Sequence, residues 1–89
     1  MKSIKTVDEW GNIRYNNEKG QYHREDGPAI ERHNGYKAWW INGLVHREDG
    51  PAIVFSDGVE QYWLNGKKYS KKDWEVEVLK MRLKRILDL

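Results

Sequence analysis

Short runs of alternating hydrophobic and polar residues fill the first two thirds of the chain. The segment 36–41 is rich in aromatic and branched residues, and Asn42-Gly43 follows it directly. Such alternation indicates β-strands, and Asn-Gly is among the strongest signals for a two-residue hairpin turn, because both turn positions need a positive φ. Residues 44–46 then predict a short partner strand, so each stretch of this kind predicts one β-hairpin.

The hairpin pattern belongs to a tandem repeat. The eight-residue sequence HREDGPAI begins at His23 and recurs unchanged 23 residues later at His46, and partial copies lie before and after the two good ones. Stacked repeats commonly end in atypical copies that cap the stack. We therefore expect one domain in which residues 1–70 form the repeat region, with repeats at about 13–35 and 36–58.

The periodicity changes from strand to helix after residue 70. Ser70 and Asp73 have the spacing of an N-terminal capping box, and neither glycine nor proline interrupts 74–87. Apolar residues at i, i+3, i+7 and i+10 mark one helical face. These residues are Val76, Leu79, Leu83 and Ile86, and the stripe is widened by Trp74, Val78 and Met81. The spacing predicts a helix over about 71–87, in an amphipathic, basic segment 71–89.

The apolar stripe has two alternative roles. It packs the helix against one face or the open end of the sheet, which covers apolar surface and sheet edges. Alternatively, it pairs with a second copy of the chain or with a partner protein, because small domains often gain stability by association. The predicted oligomer or helix-packing face consists of Trp74, Val76, Leu79, Leu83 and Ile86.

Composition excludes several classes of protein. The 89 residues include five Trp, five Tyr and one Phe but no Cys, so large rings rather than disulfides are expected to fill a thin core. No apolar run approaches the roughly 20 residues that span a bilayer. The first residues lack the apolar run of a signal peptide. We therefore expect a cytoplasmic protein that does not bind membranes.

Positive charge is concentrated in the tail. Residues 66–89 contain eight of the 16 Lys and Arg but only four of the 14 Asp and Glu. A solvated helix face explains this simply, and the alternative is contact with RNA phosphates or an acidic protein surface. Neighbouring residues of a strand face opposite sides, so one ring of each pair Trp39-Trp40 and Tyr62-Trp63 should build the core. The other should form a second row, covered by the helix or exposed. The predicted partner or nucleic-acid contacts are Lys67, Lys68, Lys71, Lys72, Lys80, Arg82, Lys84, Arg85, Trp39 and Trp63.

The repeated histidines and aspartates invite a metal or catalytic interpretation. His23, Asp26, His46 and Asp49 have donor types found in zinc sites. Because the set recurs once per unit, we interpret it as scaffold, in which the histidine caps its short strand and Arg and Asp interact within the turn. The chain has no nucleophile elbow, phosphate loop or zinc-hydrolase motif. We predict a protein that is not an enzyme, with no catalytic residue, metal or cofactor.

The units resemble the MORN repeat, a 23-residue β-hairpin, over roughly residues 11–69. The matching residues are Gly35-Tyr36, Trp40, Asn42-Gly43, His46, Gly50 and Asp57-Gly58. HREDGPA departs from the usual pattern, in which a glycine follows the histidine, and is similar to a variant in small proteins of tailed bacteriophages and some bacteria. The resemblance implies a mainly β fold: an antiparallel meander of tandem MORN-like hairpin repeats with one C-terminal α-helix.

The same resemblance implies a phage-type binding protein that acts in the cytoplasm of the host bacterium. The expected function is inhibition of a bacterial defence or toxin component by direct binding, and a ribonuclease toxin, with RNA involved, would suit the basic tail. The first alternative is an RNA- or DNA-binding module. The second is a structural, self-assembling repeat protein that forms a homodimer through its C-terminal helix.

Overall fold

Nine short strands and one helix follow one another along residues 3–88, the part of the chain that the computed structural model describes. The strands are β1 (Ile4–Val7), β2 (Ile13–Asn16), β3 (Ile30–Glu31), β4 (Lys37–Ala38), β5 (Trp40–Ile41), β6 (Leu44–Val45), β7 (Ile53–Val54), β8 (Glu60–Leu64) and β9 (Lys67–Tyr69), and the helix is α1 (Lys71–Leu87). The predicted segments 1–70 and 71–89 also include Met1, Lys2 and Leu89, which lie outside the described residues.

The strands form an antiparallel meander. Seven of them make one sheet in the order β1-β2-β3-β4-β7-β8-β9, and β5 pairs with β6 in a separate hairpin. Every pairing is antiparallel. The predicted fold class, a mainly β meander of hairpins with one C-terminal helix, is confirmed.

The aromatic segment 36–41 takes part in both sheets. In its first half, Ala38 pairs with Ile53 of β7, and in its second half, Trp40 pairs with Val45 of β6. The Asn42-Gly43 turn between β5 and β6 has φ angles of 48° and 82°, and the equivalent turn after β8 has 50° and 81°. Both positions of each turn therefore have the positive φ that the Asn-Gly signal predicts.

Two small cores hold the sheet and the helix. The first contains the buried residues Ile30, Ala38, Val45, Ala52 and Ile53, with the rings of Tyr22, Tyr36, Trp40, Phe55 and Trp63 packed around them. The second contains Leu64, Trp74 and Val78, with Tyr62, Tyr69 and Met81 packed around them. Aromatic rings therefore supply much of the apolar surface in both cores, as the composition predicts.

The helix begins at the predicted cap and folds back on the sheet. The backbone N–H of Asp73 donates to the Ser70 hydroxyl at 3.1 Å, which fixes the first turn. The Trp74 ring lies 4.9 Å from the ring of Tyr62, and its Nε1–H donates to the carbonyl of Arg47 at 2.9 Å. A large ring with a satisfied N–H thus joins α1 to the preceding repeat.

For the predicted oligomer or helix-packing face, the first alternative, packing on the sheet, is wrong for four of its five residues. Only Trp74 is buried, while Val76, Leu79, Leu83 and Ile86 are 45–64% exposed. Leu83 follows Trp74 by nine residues, or about 2.5 helical turns, and therefore lies on the opposite side of the helix. Trp74 determines the docked side because its ring covers more area and its N–H finds an acceptor.

Candidate protein-interaction site

The HREDGP loops are held together by their own side chains. In the second loop, Arg47 donates to the Asp49 carboxylate at 2.9 Å and to the Pro51 carbonyl at 3.0 Å. A Cβ atom at Gly50 would lie 2.9 Å from Arg47 Cζ, so the glycine provides the space for the guanidinium. Arg24 makes the same two contacts in the first loop. These loop residues are thus positioned by contacts with one another.

Each repeat histidine holds the turn of the next unit. The backbone N–H of Asn42 donates to His23 Nδ1 at 2.9 Å, and that of Asn65 donates to His46 Nδ1 at 3.0 Å. The histidine therefore links consecutive units instead of capping its own short strand, which corrects the predicted contact. Among residues 3–88, no three His, Asp or Glu side chains come together in a set that could hold a metal ion.

Glu48 is the point at which the helix is fixed to the second loop. Arg85 donates through both terminal nitrogens to the two carboxylate oxygens, each at 2.7 Å. Arg82 donates to the backbone carbonyl of the same residue at 3.2 Å. Because His46 Nδ1 accepts from a backbone N–H, its Nε2 carries the proton and donates to Glu48 at 3.0 Å.

These hydrogen bonds change the acidity of Glu48. The bonds from Arg85 lower its pKa to about 2 against the opposing effect of burial, and His46 adds to the lowering. The carboxylate is therefore ionised throughout the neutral range and remains paired with the helix. Arg82 and Arg85 thus have partners within the chain and are not a free cationic surface.

A cleft of about 940 Å³ lies between the two HREDGP loops. Trp39 and Ile41 are among its lining residues, and the Arg47 guanidinium stacks 3.9 Å from the Trp39 ring centroid. Its charged lining residues are Arg24, Arg47, Arg85, Glu25, Asp26, Glu48 and Asp49. With four carboxylates against three guanidiniums, this cleft has no excess of positive charge that would favour a nucleic acid.

The predicted basic contacts do not form one surface. Arg82 and Arg85 face the loop at Glu48, whereas Lys80 donates to Glu77 along the helix at 3.1 Å. The other predicted cations are exposed on β9, on the first turn of α1 and near its end, namely Lys67, Lys68, Lys71, Lys72 and Lys84. The positive charge of the tail is therefore divided among several directions.

The two tryptophans predicted as contacts have different environments. Trp63 is half-buried against the first core and donates its ring N–H to Gln61 at 3.0 Å, and its contact with a partner stays a prediction. Trp39 lies in the cleft under Arg47. At the equivalent position of the next unit, Tyr62 is covered by Trp74 of the helix. The second aromatic row, Trp39 and Tyr62, is thus covered by Arg47 in one unit and by Trp74 of the helix in the other.

The side of α1 that faces away from the sheet carries four exposed apolar residues. We name it the outward face; it consists of Val76 (45% exposed), Leu79 (60%), Leu83 (57%) and Ile86 (64%). The docked side, formed by Trp74, Val78 and Met81, lies about half a turn away. Both sets belong to the one wide apolar stripe that helical periodicity predicts. Their separate spacings, i, i+4, i+7 and i, i+3, i+7, i+10, were the signal that distinguishes them.

Comparison of the chain with protein-family models, curated proteins and solved structures found no match. The resemblance to MORN repeats therefore stays a prediction that rests on the motif residues. Within residues 3–88, no helix combines the length and the apolar character needed to cross a membrane. The geometry of the outward face is consequently the main guide to function.

Proposed function

We propose that the chain is a non-enzymatic protein-interaction module in which the repeat sheet presents α1 and the outward face binds the partner. The observation that supports this is the exposure of four apolar residues on a helix whose opposite side is already buried in the protein's own core. The largest apolar patch on a soluble monomer is often functional, and patches above a few hundred Å² mark interaction sites. The patch is therefore best explained by a protein that covers it.

The helix is pre-organised for this role. Ser70 fixes its first turn, Trp74 its docked side, and the pairing of Arg85 with Glu48 its last turns. A binding surface that is already ordered loses little conformational entropy when the partner arrives. Replacing Leu83 should therefore weaken binding directly, since little conformational entropy is lost on binding that the substitution could recover.

The spacing of the outward face suits a helical partner. Apolar residues separated by three and four positions form a seam that packs against another helix. The resemblance of the repeats to phage-type proteins supports a bacterial protein as this partner, with a defence or toxin component as the specific form. RNA receives less support, because Arg82 and Arg85 already have partners within the chain.

The test uses a matched pair of helix variants. Leu83→Asp places a charge in the centre of the outward face, while Lys84→Ala changes the net charge equally at the next, exposed position. A protein captured from bacteria with the unchanged chain would be identified, purified and titrated against all three forms, with and without nuclease. We expect Leu83→Asp to weaken binding by about tenfold or more and Lys84→Ala to leave it unchanged. Equal affinity for Leu83→Asp and the unchanged chain would refute the proposal.

A further inference from the structure

We propose that, in the free protein, the outward face pairs with a second copy of this chain, helix to helix and in parallel. The inference rests on the proposed function, because it uses the same face. Val76, Leu79, Leu83 and Ile86 are separated by three, four and three residues. This is the spacing of positions a and d over two heptads, the seam along which two helices associate.

The position of the sheet leaves this seam accessible. The docked residues Trp74, Val78 and Met81 occupy the side of α1 opposite the outward face. In a pair of chains joined along the seam, each sheet would therefore lie on the outside of the two helices, without obstructing their contact. The helices also enter the pair already folded, because α1 is held by packing on its own sheet and does not depend on the second copy for its structure.

The charges beside the seam favour a parallel arrangement. Glu75 directly precedes Val76 at position a, and Lys80 directly follows Leu79 at position d. In a parallel pair each Glu75 would lie beside Lys80 of the second copy, which gives two such pairs by symmetry. Lys80 is free to rearrange, because its side chain is 67% exposed and its contact with Glu77 is an exposed i, i+3 pair.

An antiparallel arrangement brings like charges together. Placing Val76 opposite Ile86 and Leu79 opposite Leu83 preserves the apolar contacts but sets Lys80 beside Lys80 of the second copy near the twofold axis. Arg82 meets its own copy in the same way. The flanking charges therefore distinguish between two arrangements that the apolar residues alone would allow.

The size of the seam sets the expected strength. The four exposed side chains and their flanks offer about half of the roughly 800 Å² per partner that stable interfaces bury. The dimer should therefore be weak and dependent on concentration, with a Kd on the order of 10–100 µM. Since the chain would populate both states in this range, dilution should separate them.

The first test measures the mass of the purified full chain by sedimentation equilibrium over a range that brackets this Kd. We expect the average mass to rise from that of one chain to that of two. Leu83→Asp should weaken self-association by about tenfold or more, and Lys84→Ala should not. A single-chain mass at every concentration would overturn the inference.

A charge exchange tests the parallel arrangement without disturbing the apolar seam. Glu75→Lys alone and Lys80→Glu alone each place like charges at both flanking pairs, so each variant should self-associate more weakly than the unchanged chain. Mixed together, the two variants should restore association, because both pairs become complementary. In an antiparallel dimer, Lys80→Glu would instead associate best with the unchanged chain, and that result would overturn the arrangement proposed here.

These measurements separate failure of the inference from failure of the proposed function. If the unchanged chain is monomeric and Leu83→Asp abolishes binding of an identified bacterial partner, the outward face is a binding site but a second copy does not occupy it. If Leu83→Asp changes neither self-association nor partner binding, the proposed function and the dimer are both refuted. Circular dichroism of each variant would verify that α1 remains folded.

Discussion

Replacing Glu48 with glutamine should loosen α1 from the second repeat loop at neutral pH. The substitution preserves the shape of the side chain but removes the charge that Arg85 and His46 both contact. The pKa of Glu48 is lowered from 4.5 to about 2 in the folded protein. A carboxyl with a lowered pKa stabilises the fold above its unfolded value, and this contribution is lost as the pH falls through the folded value.

The size of the effect follows from the shift and from exposure. A shift of this size corresponds to about 3 kcal/mol as an upper limit. The Glu48 side chain is 22% exposed and that of Arg85 is 60% exposed, so solvent screening reduces the contribution. We expect Glu48→Gln to lower the free energy of unfolding by about 1–2 kcal/mol at pH 7.

Urea unfolding followed by tryptophan fluorescence measures this difference, because Trp74 lies in the interface that loosens. The control is Glu18→Gln, the same chemical change at an exposed position of the turn after β2, which should alter stability by no more than about 0.5 kcal/mol. The difference between Glu48→Gln and the unchanged chain should shrink as the pH falls from about 4.5 toward 2. Equal effects of the two substitutions at pH 7, or a deficit that persists at pH 2, would refute the role assigned to Glu48.

Three further substitutions test the contacts that build the scaffold, each by urea unfolding. Trp74→Phe removes the hydrogen bond to the Arg47 carbonyl and should cost about 1 kcal/mol, and an unchanged midpoint would contradict that bond. His23→Ala removes a side chain that is 2% exposed, together with the acceptor for the next turn, and should cost about 2–4 kcal/mol. His33→Ala, at an exposed position, should cost little. Gly50→Ala should cost about 1–3 kcal/mol by displacing the Arg47 guanidinium, and most of that cost should disappear when Arg47→Ala is already present. If the two substitutions instead lower the free energy of unfolding additively, the contact between Gly50 and Arg47 is contradicted.

Local sequence rules were sufficient for most of the scaffold. The Asn-Gly turns, the Ser70 cap and the extent of α1 follow from signals that lie within a few residues of the structure they specify. The interaction of Arg47 with Asp49 is equally local. Such features depend little on the rest of the chain, and for this reason they can be predicted from a single sequence.

The sides of the helix could not be assigned in the same way. Two apolar sets half a turn apart both satisfy helical periodicity, and only tertiary contacts decide which one is buried. Trp74 reaches the carbonyl of Arg47, 27 residues earlier, and Arg85 reaches Glu48, 37 residues earlier. No pattern within the tail reveals such contacts, so the docked side was missed and its arginines were counted as free charge.

Association through the outward face can be measured directly by disulfide formation, because the chain contains no cysteine of its own. Leu83→Cys places one thiol on the parallel seam, where it meets the same residue of a second copy, and Lys84→Cys places one beside the seam as the control. Under mild oxidation near the Kd, Leu83→Cys should form a disulfide-linked dimer much faster than Lys84→Cys, and denaturant should abolish the difference. Equal rates for the two variants in the folded state would contradict parallel self-association through this face.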